Sequence, residues 1–398
     1  MHALYLCVKI TSMDIRKFPL FETLFTLLII FSTTTVLYLY TSGYRINRTS
    51  TNTIDLSKTG MISAKSLPEG ATVFLDGKVA TATNDTISGI EPGKHRLKIV
   101  KKGFVEWEKE LEVFPELVTD ITAVLISQTP RIEPLTNTGI SSASLSNSMD
   151  KVAYTTSGEE TNGVWVMQIG NYTLSIFRPN SSIVLVDTTR VKYSGAKSIE
   201  WSYDDKNLII EGPNGVNYMA DLVNNTAETT TSPQIARDTW ISELDKKRTA
   251  FVEKIDIPDN VRNIALSPKS EWSPDQKKFM YTVQSGDMMS YYVYNLEKPL
   301  PIGENRETTV MSLKASDPQP KLVWYPDSYH FVVVEGDILN NKKGTISLVR
   351  IDGTNKTEIY NNTLYSDLVF SSPSGDRILI ITSFKSSGQT DLYSVSIR

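Results

Sequence analysis

The sequence has very few residues of the two types that most often bind transition metals. Its 398 residues include one cysteine, Cys7, and three histidines, His2, His95 and His330. Zinc and copper sites are built mainly from thiolates and imidazoles, so these residues do not supply a complete set of such ligands. A Ser-His-Asp triad would have to use His330, and the sequence lacks the Gly-x-Ser-x-Gly motif that presents the serine in many hydrolases. We therefore expect no metal, no cofactor and no catalytic residue, and a protein that is not an enzyme.

A strong net charge is also missing. The formal charge of -4 at pH 7 is small for a chain of this length, so nucleic-acid binding is not expected. Four aspartates lie in predicted turns, where aspartate is favoured for conformational reasons. They are Asp204, Asp205, Asp275 and Asp327. A hydrolase that uses paired carboxylates remains an open alternative, although nothing in the sequence points to one.

One apolar segment near the N-terminus is long enough to cross a membrane. Residues 23–44 contain no charged side chain, and the stretch from Leu24 to Tyr40 is strongly apolar. As a helix, this stretch matches the roughly 30 Å hydrocarbon core of a bilayer. A buried core helix would show a polar face, and a signal peptide would be followed by a small-x-small cleavage site, which is missing here. The segment predicts an uncleaved transmembrane helix over residues 23–44.

The charges that flank this helix do not fix its orientation. Arg16 and Lys17 precede it, and Arg45 and Arg48 follow it, so the positive-inside count is nearly balanced. The strand-rich sequence downstream is typical of extracytoplasmic modules, so we place residues 1–22 inside as a short tail. Met13 is an alternative start. The polar residues 45–59 predict a tether between the helix and the first globular module.

After the tether, the sequence alternates between short strands and tight turns. No helical period is present, and the pattern predicts a small β-sandwich over residues 60–126. This region resembles the PEGA domain, whose defining motif stands here literally as Pro-Glu-Gly-Ala. The residues that carry the resemblance are Pro68, Glu69, Gly70, Ala71, Asp76, Gly77, Pro92, Gly93, Gly103 and Trp107. The resemblance implies a surface-exposed β-sandwich of envelope proteins without catalytic activity; residues 81–85 depart from the usual pattern.

Opposite charges alternate along two neighbouring strands of this predicted sandwich. Arg96 and Lys98 share one face of their strand, and the glutamates at 106, 108, 110 and 112 share one face of the next. These could form separate anion-binding and cation-binding ridges. We instead expect cross-strand ion pairs on the solvent face, each of which contributes about 0.2 to 1 kcal/mol.

A ten-residue pattern recurs through the C-terminal two thirds of the chain. Residues 272–281 read Trp-Ser-Pro-Asp-Gln-Lys-Lys-Phe-Met-Tyr, and approximate copies begin at Leu145, Trp201, Trp324 and Phe370. The pattern predicts strand, turn and strand, and its repetition is typical of a β-propeller. Its characteristic residues are Trp201, Trp272, Pro274, Asp275, Trp324, Pro326, Asp327 and Phe370. We expect the tryptophans to pack between blades and not to stack on a ligand.

The spacing of the copies predicts about six blades. The interval of 46 residues from Trp324 to Phe370 suits one blade of about 40 to 45 residues, whereas the 71 residues from Trp201 to Trp272 are too many. A strand-like segment at residues 241–252, with an Asp-Lys-Lys turn, supplies a degenerate copy beside the five clear ones. After a linker at residues 127–134, the repeats over residues 135–398 resemble the TolB-type β-propeller. The fold class is therefore all-β: a transmembrane helix, a PEGA-like sandwich and a propeller.

These features predict a bacterial, single-pass, cell-envelope protein with its N-terminus inside. We expect the extracytoplasmic propeller to serve as a non-catalytic scaffold that binds an envelope protein or a cell-wall polymer. Two alternatives remain: an envelope hydrolase with its site in the propeller funnel, and a sensory ectodomain that acts through a signalling partner. Since the repeated residues are predicted to be structural, ligand contacts are expected in the non-repeating segments 224–237 and 299–320. The sequence leaves the oligomeric state open.

Overall fold

The computed structural model describes residues 19–41, 43–48, 54–156, 162–170, 181–385 and 388–398. These residues form a long apolar helix, a short hairpin, a domain of two packed sheets and five four-stranded sheets. The predicted all-β architecture with an N-terminal helix is thereby confirmed.

The N-terminal helix, α1, spans Pro19–Thr41. Its segment Glu22–Thr41 is long and apolar enough to cross a membrane, and none of it is buried against the rest of the protein. The hydroxyls of Thr33, Thr35 and Thr41 donate to carbonyls one turn earlier, at 2.7–2.9 Å. These polar groups are thus satisfied without water, as an apolar environment requires.

The described parts of the predicted tether, residues 45–59, include two strands. Strand β1, Tyr44–Arg48, pairs antiparallel with β2, Ile54–Lys58. The Thr59 N–H then donates to the Gly43 carbonyl at 3.1 Å, and the Glu116 N–H donates to the Thr59 carbonyl at 2.9 Å. These polar strands satisfy their backbone groups by pairing with each other.

The next domain is the predicted sandwich. One sheet has the strand order β6-β3-β9 and the other β5-β4-β7-β8. The shared core is formed by alternating residues such as Ile62, Val73, Leu97 and Trp107, all at most 3% exposed. The strands are β3 Gly60–Leu67, β4 Thr72–Leu75, β5 Lys78–Ala82, β6 Asp85–Ile90, β7 Gly93–Val100, β8 Trp107–Val113 and β9 Val118–Val124.

Local hydrogen bonds fix two loops of the sandwich. Asp76 and Gly77 have φ values of 50° and 78°, which suit the two-residue hairpin between β4 and β5. The Asp76 carboxylate accepts from the Arg96 N–H at 2.9 Å. In the atypical loop at residues 81–85, the Thr83 hydroxyl accepts from the Ala71 N–H at 2.9 Å. The loop therefore holds the Pro-Glu-Gly-Ala motif against the sheet.

The cations of β7 pair with glutamates in β8 and directly before it. The ion pairs are Lys94–Glu110 at 2.9 Å, Arg96–Glu108 at 3.3 Å and Lys98–Glu106 at 2.5 Å. The expected solvent-facing ladder is present, and it accounts for these charges without a bound ion.

The described residues of the C-terminal region form five antiparallel four-stranded sheets, the blades of a propeller. Blade 1 contains β11 Ile140–Leu145, β12 Lys151–Thr156, β13 Gly163–Gln168 and β14 Ser181–Val186. Blade 2 contains β15 Ser198–Trp201, β16 Asn207–Glu211, β17 Asn217–Asp221 and β18 Thr226–Thr230. Blade 3 contains β19 Glu271–Trp272, β20 Lys278–Ser285, β21 Met288–Asn295 and β22 Glu307–Lys314. Blade 4 contains β23 Lys321–Trp324, β24 His330–Glu335, β25 Lys343–Arg350 and β26 Thr357–Thr363, with the short helix α4, Ile338–Asn341, after β24.

The first and last parts of the propeller sequence share blade 5. Its strands are β27 Val369–Ser371, β28 Arg377–Thr382, β29 Asp391–Ser396 and, at the outer edge, β10 Ile132–Pro134. Residues 127–134, expected as a linker, thus belong partly to the propeller. The two prolines suggested a linker, but Pro134 sits at the edge of the sheet, where a missing N–H is tolerated. Pairing of β10 with β29 closes the ring of blades.

The degenerate sixth repeat is a helix. In the described part of the chain the propeller has five sheets, and residues 241–252 lie in α2, Pro233–Val252, which is followed by α3, Asp259–Ala265. Pro233 stands in the first turn, where proline is favoured, and Ala236, Trp240 and Leu244 repeat every fourth residue on the half-buried face. The six-blade prediction was wrong because an Asp-Lys-Lys sequence suits a helix surface as well as a turn.

The segments expected to be variable loops also contain regular structure. Residues 224–237 include β18 and the start of α2, and residues 299–320 include β22.

The sandwich is bound to the propeller close to the second of these segments. Arg350 forms ion pairs with Glu304 and with Asp352, the latter at 2.6 Å, and Lys109 of β8 pairs with the same Asp352 carboxylate.

Candidate functional site: the central cavity of the propeller

The blades begin with the same turn between their first two strands. In each copy, the N–H of the first turn residue donates to the carbonyl five positions later, at 2.9–3.0 Å. The fourth residue of each turn has a positive φ; these residues are Met149, Asp205, Gln276, Ser328 and Gly375. All five turns lie at one end of the propeller, which we call the turn face.

The turn aspartates have structural partners. The Asp205 carboxylate accepts from the N–H groups of Asn147 and Ser148 in blade 1, at 2.8 and 2.9 Å. The carboxylate of Asp275 contacts the Lys278 ammonium at 3.0 Å. Asp327 lies 2.7 Å from the ring of His330. These contacts explain the recurrence of aspartate in the repeats.

Two of the three repeat tryptophans connect neighbouring blades. The indole of Trp201 donates to the Ser144 carbonyl of blade 1, and that of Trp324 donates to the Glu271 carbonyl of blade 3, both at 3.0 Å. Trp272 instead donates to the Ala265 carbonyl of α3 at 2.9 Å. The helices α2 and α3, which form a helical insertion between blades 2 and 3, thus contact the tryptophan of blade 3 in the way that the preceding blade contacts Trp201 and Trp324.

A cavity of about 990 Å³ lies on the axis of the propeller, a size typical of ligand-binding sites. Residues of blades 1 to 4, of α2 and of the segment before blade 5 line it, among them Asn147, Tyr203, Arg248, Glu271, Gln276, Lys321 and Asp367. Trp272, Pro274 and Trp324 also border it, so part of the repeat pattern lies beside the cavity, contrary to the expectation that only non-repeating segments would. The PEGA motif residues belong to the separate sandwich.

The charged groups of the cavity fall into two classes. Asp204 and Asp205 are held in turns, and Lys321 pairs with Asp367 at 3.2 Å. Glu271, by contrast, has no ion-pair partner among the described residues. Enclosure by the cavity raises the pKa of its carboxyl above the usual range, although Lys321 opposes the shift.

Arg248 is the cavity residue that sequence reasoning missed. It belongs to α2, and its guanidinium carbon lies 5.2 Å from the centre of the Trp272 ring. Its Nε donates to the Gln276 side-chain oxygen at 3.4 Å. Burial lowers the pKa of this guanidinium, while Asp245 raises it. A sequence signal for this position exists. Apolar residues recur every fourth position from Ala236 to Leu244, and the next position in that series is Arg248, on the same half-buried face of α2.

The sandwich lies at the turn face. Because strand direction alternates within a blade, the turn between the third and fourth strands is at the same end as the turn between the first and second. Those turns of blades 3 and 4 contact the sandwich: Gly303 lies beside Thr119, and the Asn355 side chain accepts from the Glu108 N–H at 3.3 Å. Lys269 and Asp367, which precede the first strands of their blades, mark the opposite mouth of the cavity.

The described structure contains no metal centre of the usual composition. Within the described ranges, no group of three or more His, Cys, Asp or Glu side chains is arranged to hold a metal ion. What the cavity offers is a mixture of amide, hydroxyl, ammonium, guanidinium and carboxyl groups on a rigid wall of strands. This composition is suited to the recognition of a polar ligand.

The fold and the cavity define a five-bladed β-propeller protein with an attached β-sandwich. Residues 59–128 match the family model of the PEGA domain. No curated protein sequence matches the chain.

Several solved structures are similar to this chain at low identity. TolB from Acinetobacter baumannii is 12% identical, with a TM-score of 0.24 over 77% of this chain and 60% of that one. An oligogalacturonate lyase from Vibrio parahaemolyticus is 10% identical, with a TM-score of 0.30 over 77% and 86%. A chain of the mitotic checkpoint complex is 11% identical, with a TM-score of 0.35 over 69% and 96%. These TM-scores are too low to support an argument. The assignment of a propeller therefore rests on the strand order of this chain.

Proposed function

We propose that this protein is a membrane-anchored, non-catalytic binding scaffold of the bacterial cell envelope. The central cavity carries this proposal, because it is large and is lined by both apolar and polar residues of blades 1 to 4 and α2. Its ligand would be an envelope protein or a cell-wall polymer. The propeller walls supply a rigid frame, which lowers the entropic cost of ordering the site on binding.

The anchor is supported by the N-terminal helix. The segment Glu22–Thr41 is apolar and long enough to cross a bilayer, and none of it is buried inside the protein. A helix of this kind would expose its apolar surface to water unless lipid covered it. The PEGA domain would then lie outside the cytoplasmic membrane, between the helix and the propeller.

A hydrolase is the second candidate, and one observation favours it. Glu271 combines a cavity position with a raised pKa, which suits a general acid. Hydrolysis by a carboxylate pair also requires a second carboxylate as base or nucleophile. The nearby acidic groups are engaged, since Asp367 is paired with Lys321 and Asp205 accepts backbone hydrogen bonds. Binding without catalysis therefore fits the cavity better.

Site-directed photocrosslinking in cells tests the scaffold proposal. A photoreactive amino acid at Lys269, at the cavity mouth, is expected to yield a reproducible adduct with an envelope component. The same amino acid at the exposed Thr229, on the outer strand β18, is the matched control and should yield none. Absence of an adduct at position 269, together with hydrolase activity of the purified full-length protein that Glu271→Gln abolishes, would support the enzyme instead.

A further inference from the structure

The helical insertion brings a cation into the cavity that the blade repeats do not supply. Arg248 is half-buried, and its guanidinium lies over the Trp272 ring. Trp272 is itself fixed, because it is only 8% exposed and donates to the Ala265 carbonyl. Arg248 uses its Nε for the hydrogen bond to Gln276. The two terminal nitrogens of its guanidinium fork, Nη1 and Nη2, are therefore left for another partner.

That partner is not supplied by the described part of the protein. No carboxylate there lies within 4 Å of the Arg248 guanidinium, and Asp245, one turn earlier on α2, acts on it only at longer range. The neighbouring arginine of the same helix provides a contrast, because Arg237 forms a bidentate pair with Glu200 at 2.7 Å. The Arg248 guanidinium is thus held in a fixed position in the cavity wall, but no carboxylate neutralises its charge.

We propose that the cavity binds an extended peptide and that Arg248 pairs with an acidic side chain of that peptide. This inference rests on the proposed scaffold function and names its ligand class. A planar guanidinium recognises a carboxylate through two parallel hydrogen bonds, and stacking on Trp272 holds the fork in one orientation. Partial burial strengthens such a charge-assisted contact relative to one in open water.

The aromatic residues of the cavity favour a peptide over a polysaccharide. Sugar rings bind by stacking on open aromatic faces, but Trp272, Trp324 and Tyr291 are each at most 8% exposed. The two half-buried rings of the cavity have partners already, because the Lys247 ammonium lies 4.5 Å from the centre of the Tyr203 ring and Tyr281 stacks on Tyr292. The Trp272 ring is already covered by Arg248. The cavity also presents groups of both signs, such as Lys269 and Glu271, and amide groups such as that of Gln276. A peptide carries complementary amides and charges of both signs.

Binding of defined peptides to the full-length protein in detergent micelles tests this inference. The probe is a fluorescent, end-capped hexapeptide of alternating serine and glutamate, and its counterpart has glutamine in place of glutamate. The glutamate peptide is expected to bind and the glutamine peptide to bind at least about tenfold more weakly, the loss that corresponds to one charge-assisted hydrogen bond. Arg248→Gln should weaken the glutamate peptide by a similar factor.

Two further variants keep the result interpretable. Lys246→Gln removes a cation from the exposed side of the same helix and should leave peptide affinity unchanged. Arg248→Lys keeps the positive charge but lacks the planar guanidinium, so it should give an intermediate loss of peptide affinity. This variant keeps the test decisive if Arg248→Gln folds poorly. Equal effects of the Arg248 and Lys246 variants, equal binding of both peptides, or no peptide binding would each overturn the inference. Tighter binding of an oligouronate than of the peptide would also overturn it, yet the scaffold proposal would survive.

Discussion

Gly375 shows at the level of a single residue how one repeat turn is joined to the neighbouring blade. It occupies the left-handed position of the blade 5 turn, with a φ of 64°. The hydroxyl of Tyr325, from the blade 4 turn, donates to its carbonyl, and Tyr325 is only 2% exposed. A side chain at this glycine would therefore meet a residue that has no room to move.

A comparison of two turn glycines tests this contact. A Cβ atom at Gly375 would lie 2.1 Å from the Tyr325 hydroxyl, whereas one at Gly215, with a φ of 75°, would meet nothing within 4 Å. Gly215→Ala should destabilise the propeller by only about 1 to 2 kcal/mol, the cost of the left-handed backbone. Gly375→Ala should lower the thermal unfolding temperature considerably more. Similar unfolding temperatures for the two variants would show that the turn relaxes around the added methyl.

At the level of elements, the junction between β8 and blade 4 depends on one shared carboxylate. Asp352 contacts both Arg350 and Lys109, and the side chains of all three are less than one fifth exposed. Burial alone would raise the pKa of Asp352, but the two cations and their hydrogen bonds lower it well below its usual range. Burial and the nearby guanidinium lower the pKa of Lys109, so this ammonium depends on Asp352 to remain charged.

This pKa shift predicts an acid-sensitive junction. The pKa of Asp352 is lower in the folded protein than its ordinary value of 3.8. The stabilisation is therefore complete at pH values above that value and is lost as the pH falls through it towards the folded pKa. Hydrogen exchange of the β8 amides should accelerate in this acidic range.

Asp352→Asn should weaken the junction already at pH 7, by about 3 to 5 kcal/mol if both cations stay charged without their partner. The β8 amides would then exchange faster at neutral pH, and their acid response would be reduced. Asp120→Asn is the matched control, because Asp120 is 63% exposed and pairs with Lys65 at 3.4 Å. An equal effect of the two substitutions would mean that the buried network does not hold the domains together.

At the level of the whole molecule, the sandwich connects the helix to the turn face of the propeller. The hairpin of β1 and β2 is bound to the sandwich by Thr59 and by the Lys58–Glu116 ion pair at 2.8 Å. The opposite end of the sandwich chain enters blade 5 directly, where the Ser127 N–H donates to the Ile397 carbonyl at 2.7 Å. With the helix in a membrane, these contacts would hold the propeller close to the bilayer surface.

The single cysteine provides a direct test of the predicted orientation. If residues 1–22 are cytoplasmic, a membrane-impermeant maleimide should leave Cys7 unlabelled in intact spheroplasts and label it after detergent is added. A variant with Cys7→Ser and Thr229→Cys should be labelled in intact spheroplasts. Labelling of Cys7 from outside would reverse the topology, and a mature protein without Cys7 even in detergent would indicate a cleaved segment.

Local sequence alone determined the elements whose chemistry is self-contained. The uncharged run that begins at residue 23 specifies the apolar helix, which ends at Thr41, three residues before the run does. The Pro-Glu-Gly-Ala motif and its Asp-Gly turn specify the sandwich, and the recurring turn at residues 272–281 specifies blades. Each of these signals depends only on residues that are close in sequence, because it consists of a periodic pattern of apolar residues or of residues that favour a particular turn. They could be read without knowledge of any distant contact.

Only the tertiary structure decided the number of blades and the identity of the cavity residues. Closure of the ring by β10, at the far end of the propeller sequence from β29, is a long-range pairing that no local pattern records. The same holds for α2, whose basic segment resembled a repeat turn until its packing placed Arg248 over Trp272. A cavity is formed where side chains from distant segments converge, so its chemistry depends on the assembled ring and not on any one repeat.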